Sequence, residues 1–555
     1  MTNLELVQLI FPDISLTVED CEARYPAREL PEGACVTRFA PSPTGFVHIG
    51  NFMPALISYV LAKRSGGVFF LRNEDTDKKR EVGSALRLIM ETLAHFGILP
   101  DEYEADGQTV GDYGPYVQSE RKEIYHACLK RLVERGRAYP CFCAPDKLDA
   151  LRASQEAAKQ RTGYYGTYAV CRDLSNDERA ARIRKGDPFV LRLLSEGHSA
   201  RRVRFRDGVR GETDFPENDQ DIVIMKTGWG LPTYHFAHAV DDHFMRTTLV
   251  VRGEEWLPSV PVHLELFRAF GWCPPAYIHH PLILKRDQDD PSCVRKISKR
   301  KDPEALMEYY IQKGYPIEAV VDALMTIINS NFEDWRTANP GASFLEFPFS
   351  PRKISVSGAF FDLDKLDSIS RERLSRLPAV LLRDLSCAWA EQYNPILLDW
   401  IRRDEDYYTE ILNIEREQPK PRKDVACFCG IPDYLWYMYD DVFEAREKRY
   451  QWNEGTVRVD AAEILDLYLA QYYCMDSQEA WFGAIKELCT ALGFAAATKD
   501  YKKNPGAYRG SLVDVTTILR VAATSLRMTF DLYSIMRLLG PERLRRRFDL
   551  ALETL

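Results

Sequence analysis

The chain is predicted to fold as an α/β protein with a parallel sheet, split by an inserted α+β segment and followed by a mostly α-helical half. Three patterns predict it. From 36 to about 112, short apolar runs alternate with helical stretches, the βαβ rhythm of a parallel sheet. Between 113 and 230, mixed helices and short strands replace that rhythm, which returns as strands near 233–240 and 248–252. Beyond about 375, apolar residues recur at helical spacing, with Ile464, Leu465, Tyr468, Leu469 and Tyr472 forming one stripe.

From the N-terminus onward, residues 1–35 are a polar, acidic lead-in. Residues 35–40 form an extended run that ends in a polar loop with two prolines and a glycine. Phe52, Met53, Leu56, Ile57, Val60 and Leu61 then recur at helical spacing. Val-Phe-Phe-Leu-Arg at 68–72 is a buried strand, followed by the acidic turn 73–77 and a helix through Leu93. Within the inserted segment, 189–194 is a strand. After about 290 a lysine-rich loop leads into helices at 304–312 and 318–328, and 514–539 holds one or two amphipathic helices.

At 555 residues the chain is long enough for about three to four domains. Its 45% hydrophobic and 28% charged residues are those of an ordinary globular protein. No run of about 18 apolar residues exists and the first residues lack a basic, apolar leader, so neither a membrane helix nor a signal peptide is expected. Thirteen cysteines at scattered spacings make no disulfide scaffold, which fits a reducing cytoplasm. The net charge of −9 argues against a nucleic-acid partner only weakly, because binding depends on local patches. Basic clusters at 78–80, 201–204, 296–301, 420–423 and 543–547 permit RNA binding; each read alone is a solvated face.

The stretch Arg-Phe-Ala-Pro-Ser-Pro-Thr-Gly-Phe-Val-His-Ile-Gly-Asn at 38–51 carries most chemistry. Strand, Gly-bearing turn and helix start form the layout in which free N–H groups at a helix N-terminus meet phosphates. Gly50 lets the backbone approach closely, and His48 adds an imidazole there. Lys-Ile-Ser-Lys-Arg at 296–300, read alone, is a charged surface loop.

The first stretch resembles the HIGH signature, and the second the KMSKS loop, of class I aminoacyl-tRNA synthetases of the glutamyl type. They occur in the family's order, and the resemblance covers the chain from about 36 onward. It implies a Rossmann-type catalytic domain at 36–112 and 231–290, split by an acceptor-stem-binding insertion at 113–230. A stem-contact region at 291–375 and a helical anticodon-binding region at 376–555 follow, while 1–35 is an N-terminal extension. The implied reaction is ligation of L-glutamate to tRNA(Glu) with ATP and Mg2+, by a monomer away from membranes. Whether tRNA(Gln) is also charged is left open.

By the same resemblance His48, Lys296 and Lys299 are catalytic, neutralising charge that builds on the phosphates. ATP falls to Ala40, His48, Gly50, Asn51, Glu255, Trp256, Ile283, Leu284 and Lys299. Glutamate falls to Arg38, Ser42, Glu74, Tyr234, His238 and Arg252. An arginine suits a –COO⁻ side chain because it stays charged and can bind both oxygens. Two departures stand out: the fourth signature position is Asn51 rather than His, and His238 replaces an Asn.

Cys141, Cys143 and Cys171 resemble the zinc knuckle of some of these synthetases, with Tyr164 or Tyr168 as an unusual fourth ligand. No second Cys or His pair completes the set, so Zn2+ and plain buried thiols both stay open; Cys427 and Cys429, equally spaced, read as buried thiols. A glutaminyl-tRNA synthetase and a non-catalytic paralogue are the alternatives to this resemblance. A glutaminyl-tRNA synthetase usually has Pro-Glu-Pro-Asn where this chain has Pro-Ser-Pro-Thr at 41–44, and a β-barrel C-terminal half. A non-catalytic nucleotide- or tRNA-binding paralogue would not need both motif lysines, His48 and both arginines.

Overall fold

The computed structural model describes residues 1–43, 45–76, 85–105, 107–227, 230–287, 290, 292–446, 449–454 and 456–555. Thr44, Asp77 and the basic cluster at 78–80 lie outside the described residues. The chain divides into two compact units, 1–310 with 321–362, and 311–320 with 363–555.

In the first unit, α1 (Asn3–Ile10) and α2 (Val18–Arg24) each begin on a threonine capping box. They make 1–35 a packed element. Leu6, Val7, Phe11, Val18, Cys21 and Tyr25 bury themselves in one apolar core with Leu129 of α5 (Lys122–Glu134). Arg28 adds a fork onto Glu102 at 2.6 and 2.8 Å.

The strands β1 (Val36–Phe39) and β2 (Val68–Leu71) pair in parallel, joined by α3 (Ile49–Ser65). The next parallel pair is β10 (Leu249–Gly253) with β11 (Ala276–His280), joined by α9 (Val260–Phe270). The two pairs meet where Thr248 N donates to Val36 O at 3.0 Å. A hairpin, β7 (Arg202–Asp207) and β8 (Gly211–Pro216), lines up beyond β11, with Asp207 opposite Tyr277. A second sheet orders β5 (Ala138–Cys141), β6 (Val190–Leu193) and β9 (Val223–Met225) antiparallel. The residues 202–216 of the interrupting segment thus extend the parallel sheet itself.

One element differs in kind. The stretch 233–240, expected to be a strand, is the N-cap Thr233 followed by the start of helix α8 (Tyr234–Phe244). Phe236 through Asp242 and Phe244 are all buried, so no polar stripe exists to reveal the helical period. The lysine-rich region is β12 (Ile283–Arg286) paired antiparallel with β13 (Val294–Lys296). Helices α10 (Met307–Lys313) and α11 (Ile317–Ile328) follow.

The second unit is helical from Leu363–Arg376 to Leu532–Leu552, and the region 514–539 falls into two helices, Leu512–Thr524 and Leu532–Leu552. Ile464, Leu465 and Tyr468 are buried in its core, with Leu469 and Tyr472 packed against it. Among the described residues no helix is long and apolar enough to cross a membrane.

Candidate functional site

The carboxyl ends of β1, β2 and β10 open on a cleft of about 570 Å³, the place where parallel α/β sheets bind ligands. Five of the six predicted glutamate residues line it: Arg38, Ser42, Glu74, Tyr234 and Arg252. So do Ala40, Gly50, Asn51, Glu255 and Trp256 from the ATP set. Lys226, which the sequence did not single out, lines it too and donates to Thr76 O at 3.3 Å.

Behind the cleft runs a buried charge network. Arg72, fully buried, donates to Asp242 at 2.7 Å and to Glu74 at 3.0 Å. Arg38 Nε reaches the same Asp242 oxygen at 3.3 Å. Asp241 accepts from Arg121 at 2.6 Å, and from Gln118 and Tyr125 at 2.8 Å. Three guanidinium groups therefore face three carboxylates, the pairing that buried charge requires. Burial pushes the Asp242 carboxyl up, but Arg38 and Arg72 outweigh it and hold it below the usual carboxylate range. At Glu74 burial prevails over Arg72 and Arg38, and the carboxyl sits above that range. Arg72 was legible only as the last residue of the expected strand 68–72.

Arg252 is held differently. It is 5% exposed, and its Nε donates to His279 Nε2 at 2.9 Å. Its Nη1 lies 3.2 Å from His263 Nδ1, and its guanidinium sits 4.9 Å above the Tyr277 ring. Its Nη2 is buried with no partner among the described residues. A buried donor on a charged group at the edge of a cleft leaves one hydrogen bond free for whatever enters it. Tyr234 stands against Trp256, ring centroids 4.4 Å apart.

At the start of α3 His48 is the N-cap, and its Nδ1 accepts from Gly50 N at 2.9 Å. A Cβ at Gly50 would meet that nitrogen at 3.0 Å, so only glycine leaves the bond relaxed. Burial, then Lys299 and Lys296, pull His48 down to about 4. The imidazole is thus neutral at pH 7, with its proton on Nε2. Lys299 Nζ donates to Phe46 O at 2.9 Å, and Lys296 ends β13 opposite Leu284. Their loop is pinned by Arg295, which donates to both Asp302 oxygens at 2.6 and 2.8 Å and to Asp287 at 2.6 Å. His48, Lys296 and Lys299 thus share one electrostatic neighbourhood. They lie outside the lining of the cleft, as do Ile283 and Leu284. His238 is fully buried behind Tyr234, with its ring centroid 4.2 Å from that of His263. Its Nδ1 lies 3.1 Å from Asp242 without hydrogen-bond geometry.

Away from the cleft, the ligand atoms of Cys141, Cys143 and Cys171 lie within 4.8 Å of one another. Tyr164 Oη is 3.4 Å from the first two sulfurs and accepts from Cys171 N at 3.0 Å. A hydrogen bond from Cys171 brings the Cys141 thiol down to about 4 against the pull of burial. Tyr168 instead donates to Gln160 and stands apart. Three thiols and a phenol converging on one point suit a soft tetrahedral cation. Cys427 and Cys429 are half-buried, with sulfurs 3.3 Å apart.

A parallel sheet opening on an arginine-lined cleft, with a His–Gly helix start and a lysine loop beside it, defines a class I tRNA synthetase. The family described as tRNA synthetases class I (E and Q), catalytic domain, matches residues 34–334, and the chain belongs to it. Two of its relatives are named glutamate–tRNA ligase. It is 43% identical to a glutamate–tRNA ligase of Clostridium beijerinckii over 99% of both chains. It is 40% identical to that of Sorangium cellulosum over 98% of this chain and 99% of that one. A crystal structure of a glutamate tRNA ligase from Elizabethkingia meningosepticum in complex with its amino acid superposes with a TM-score of 0.74. It is 25% identical and covers 94% of this chain and 99% of that one.

Proposed function

We propose that the chain joins L-glutamate to the 3′-terminal adenosine of tRNA(Glu) through a glutamyl-adenylate. The observation that carries this is Arg252, whose buried Nη2 has no partner among the described residues, in a cleft shared with Arg38. The guanidinium charge is offered to the substrate's side-chain carboxylate; a glutamine carboxamide would leave it uncompensated. Glu74 accepts from the ammonium group, and Tyr234 and Ser42 orient the backbone of the amino acid.

The α-carboxylate of glutamate attacks the α-phosphate of ATP and pyrophosphate leaves, so no protein nucleophile is needed. His48 donates from Nε2 to the phosphates, since Nδ1 is occupied by Gly50 N. Lys296 and Lys299 bring cations to the departing pyrophosphate. Ala40, Asn51, Glu255, Trp256, Ile283 and Leu284 hold the rest of ATP. Mg2+, when bound with ATP, would offset phosphate charge. In the second step the glutamyl group moves to the terminal adenosine of tRNA, held at 113–230, with the anticodon read at 376–555. The enzyme acts as a monomer in the cytoplasm.

Charging of purified tRNA(Glu) with glutamate tests the reading, and glutamine accepted equally well overturns it. The same assay on tRNA(Gln) separates a discriminating enzyme from one that also loads tRNA(Gln) with glutamate. Activation requires bound tRNA; pyrophosphate exchange without tRNA contradicts that.

Zn2+ fits Cys141, Cys143, Cys171 and Tyr164, where it would tie the end of β5 to the 164–171 turn as a structural ligand set. Metal analysis of the purified chain should give one zinc per molecule, lost in Cys143→Ser. Clearly substoichiometric zinc leaves only buried thiols.

A further inference from the structure

Arg72 and Arg252 are both buried arginines near the amino acid, yet their surroundings differ in charge. Arg72 is held by carboxylates. Arg252 is held by two imidazoles and a phenol ring. An imidazole can accept from an arginine without cancelling its charge, but only if the facing nitrogen carries no proton. What fixes that proton is on the opposite side of His279.

Asp207, at the end of β7, has both oxygens filled by donors. Oδ1 accepts from Val209 N at 2.9 Å and Arg210 N at 3.0 Å. Oδ2 faces His279 Nδ1 at 2.7 Å and accepts from His279 N at 3.2 Å. The carboxylate is acceptor only, so the proton of His279 sits on Nδ1 and leaves Nε2 bare for Arg252 Nε. The second edge follows the same logic. Nη1 of Arg252 donates to His263 Nδ1, so His263 carries its proton on Nε2 and passes it toward His235 Nδ1, 3.0 Å away. Two edges of the guanidinium are thereby occupied, and Nη2 is left for the substrate.

We propose that Asp207, His279 and His263 are positioning residues that present Arg252 as a full, uncompensated charge, and so set the preference for a carboxylate over a carboxamide side chain. This rests on Arg252 being a glutamate ligand.

The test is steady-state charging by the full-length enzyme with glutamate and ATP varied in turn. Arg252→Gln comes first. If it leaves the glutamate KM unchanged, the glutamate-site reading itself fails. If it raises that KM, the supports are tested against it. Asp207→Asn cannot satisfy Val209 N and Arg210 N without aiming its amide NH2 at His279 Nδ1, which drives the proton to Nε2 against Arg252. It should raise the glutamate KM by about tenfold or more, the effect of one lost hydrogen bond to a charged group, while the ATP KM stays within about twofold. His279→Leu should do the same. His279→Gln, whose Oε1 replaces the accepting nitrogen, should recover most of the loss. Discrimination against glutamine should fall in Asp207→Asn and recover in His279→Gln. A wild-type glutamate KM in Asp207→Asn overturns the proposal, as do equal shifts in both KM values or His279→Gln as impaired as His279→Leu. Should His279→Leu not fold, His279→Gln against Asp207→Asn carries the comparison, since both keep the side-chain volume.

Discussion

In the proposed reaction Lys299 and Arg252, both cations, act at different moments. Arg252 is buried and bonded on two edges before substrate arrives, so it contributes to binding. Lys299 is exposed and, among the described residues, donates to the Phe46 carbonyl, a contact it can exchange for pyrophosphate. Lys299→Ala should therefore lower the activation rate by about a hundredfold while the glutamate KM stays nearly unchanged, measured by tRNA-dependent pyrophosphate exchange. The motif residues themselves were legible, because their spacing along the chain is fixed by one loop each. Asp207 and His279 were not: they stand 72 residues apart and meet only through the pairing of β7 with β11. Lys226 gave no sign either, as a lone lysine with no motif around it.

At the level of elements, the start of α3 depends on a bond within two residues, His48 to Gly50. Gly50→Ala should leave thermal stability unchanged or slightly raised, since alanine is the better helix former. Its Cβ would nevertheless meet His48 Nδ1 at 3.0 Å and turn the imidazole. Pyrophosphate exchange should then fall by about tenfold with a raised ATP KM, the cost of losing one oriented donor. Strands β1, β2 and β10 were legible as short apolar runs with a charged residue at the end. Helix α8 was not, because burial on nearly every side erases the period that separates helix from strand. The N-terminal helices were missed for the opposite reason: their buried residues are few and widely set among acidic ones.

At the scale of the whole molecule, all ten histidines precede residue 281. Nine of them lie below their ordinary value, burial being the first cause in each. A histidine depressed in the fold binds fewer protons there than in the unfolded chain. Its stabilisation is complete above pH about 6.5 and is lost as pH falls toward the folded value, about 4 for His48. Glu74, Glu265 and Asp221, raised by burial, shift the balance the other way and offset part of it. Acidification from pH 7 to 5 should thus loosen the unit 1–310 with 321–362 well before the helical unit, which has no histidine. Hydrogen exchange read by mass spectrometry on peptides of each unit measures this; equal loss of protection in both contradicts it. The helical second half was visible in its stripes, whereas the break at 362/363 lies within no change of composition.

The hairpin 202–216 has one more consequence, for chimeras. It lies inside the stretch that interrupts the sheet, yet its Asp207 holds His279 of β11. Exchanging 113–230 between relatives as a cassette would carry that carboxylate away with the donor piece. A graft cut outside the hairpin must bring an acid to the same place, whereas one that leaves 202–216 with the host keeps the bond between Asp207 and His279.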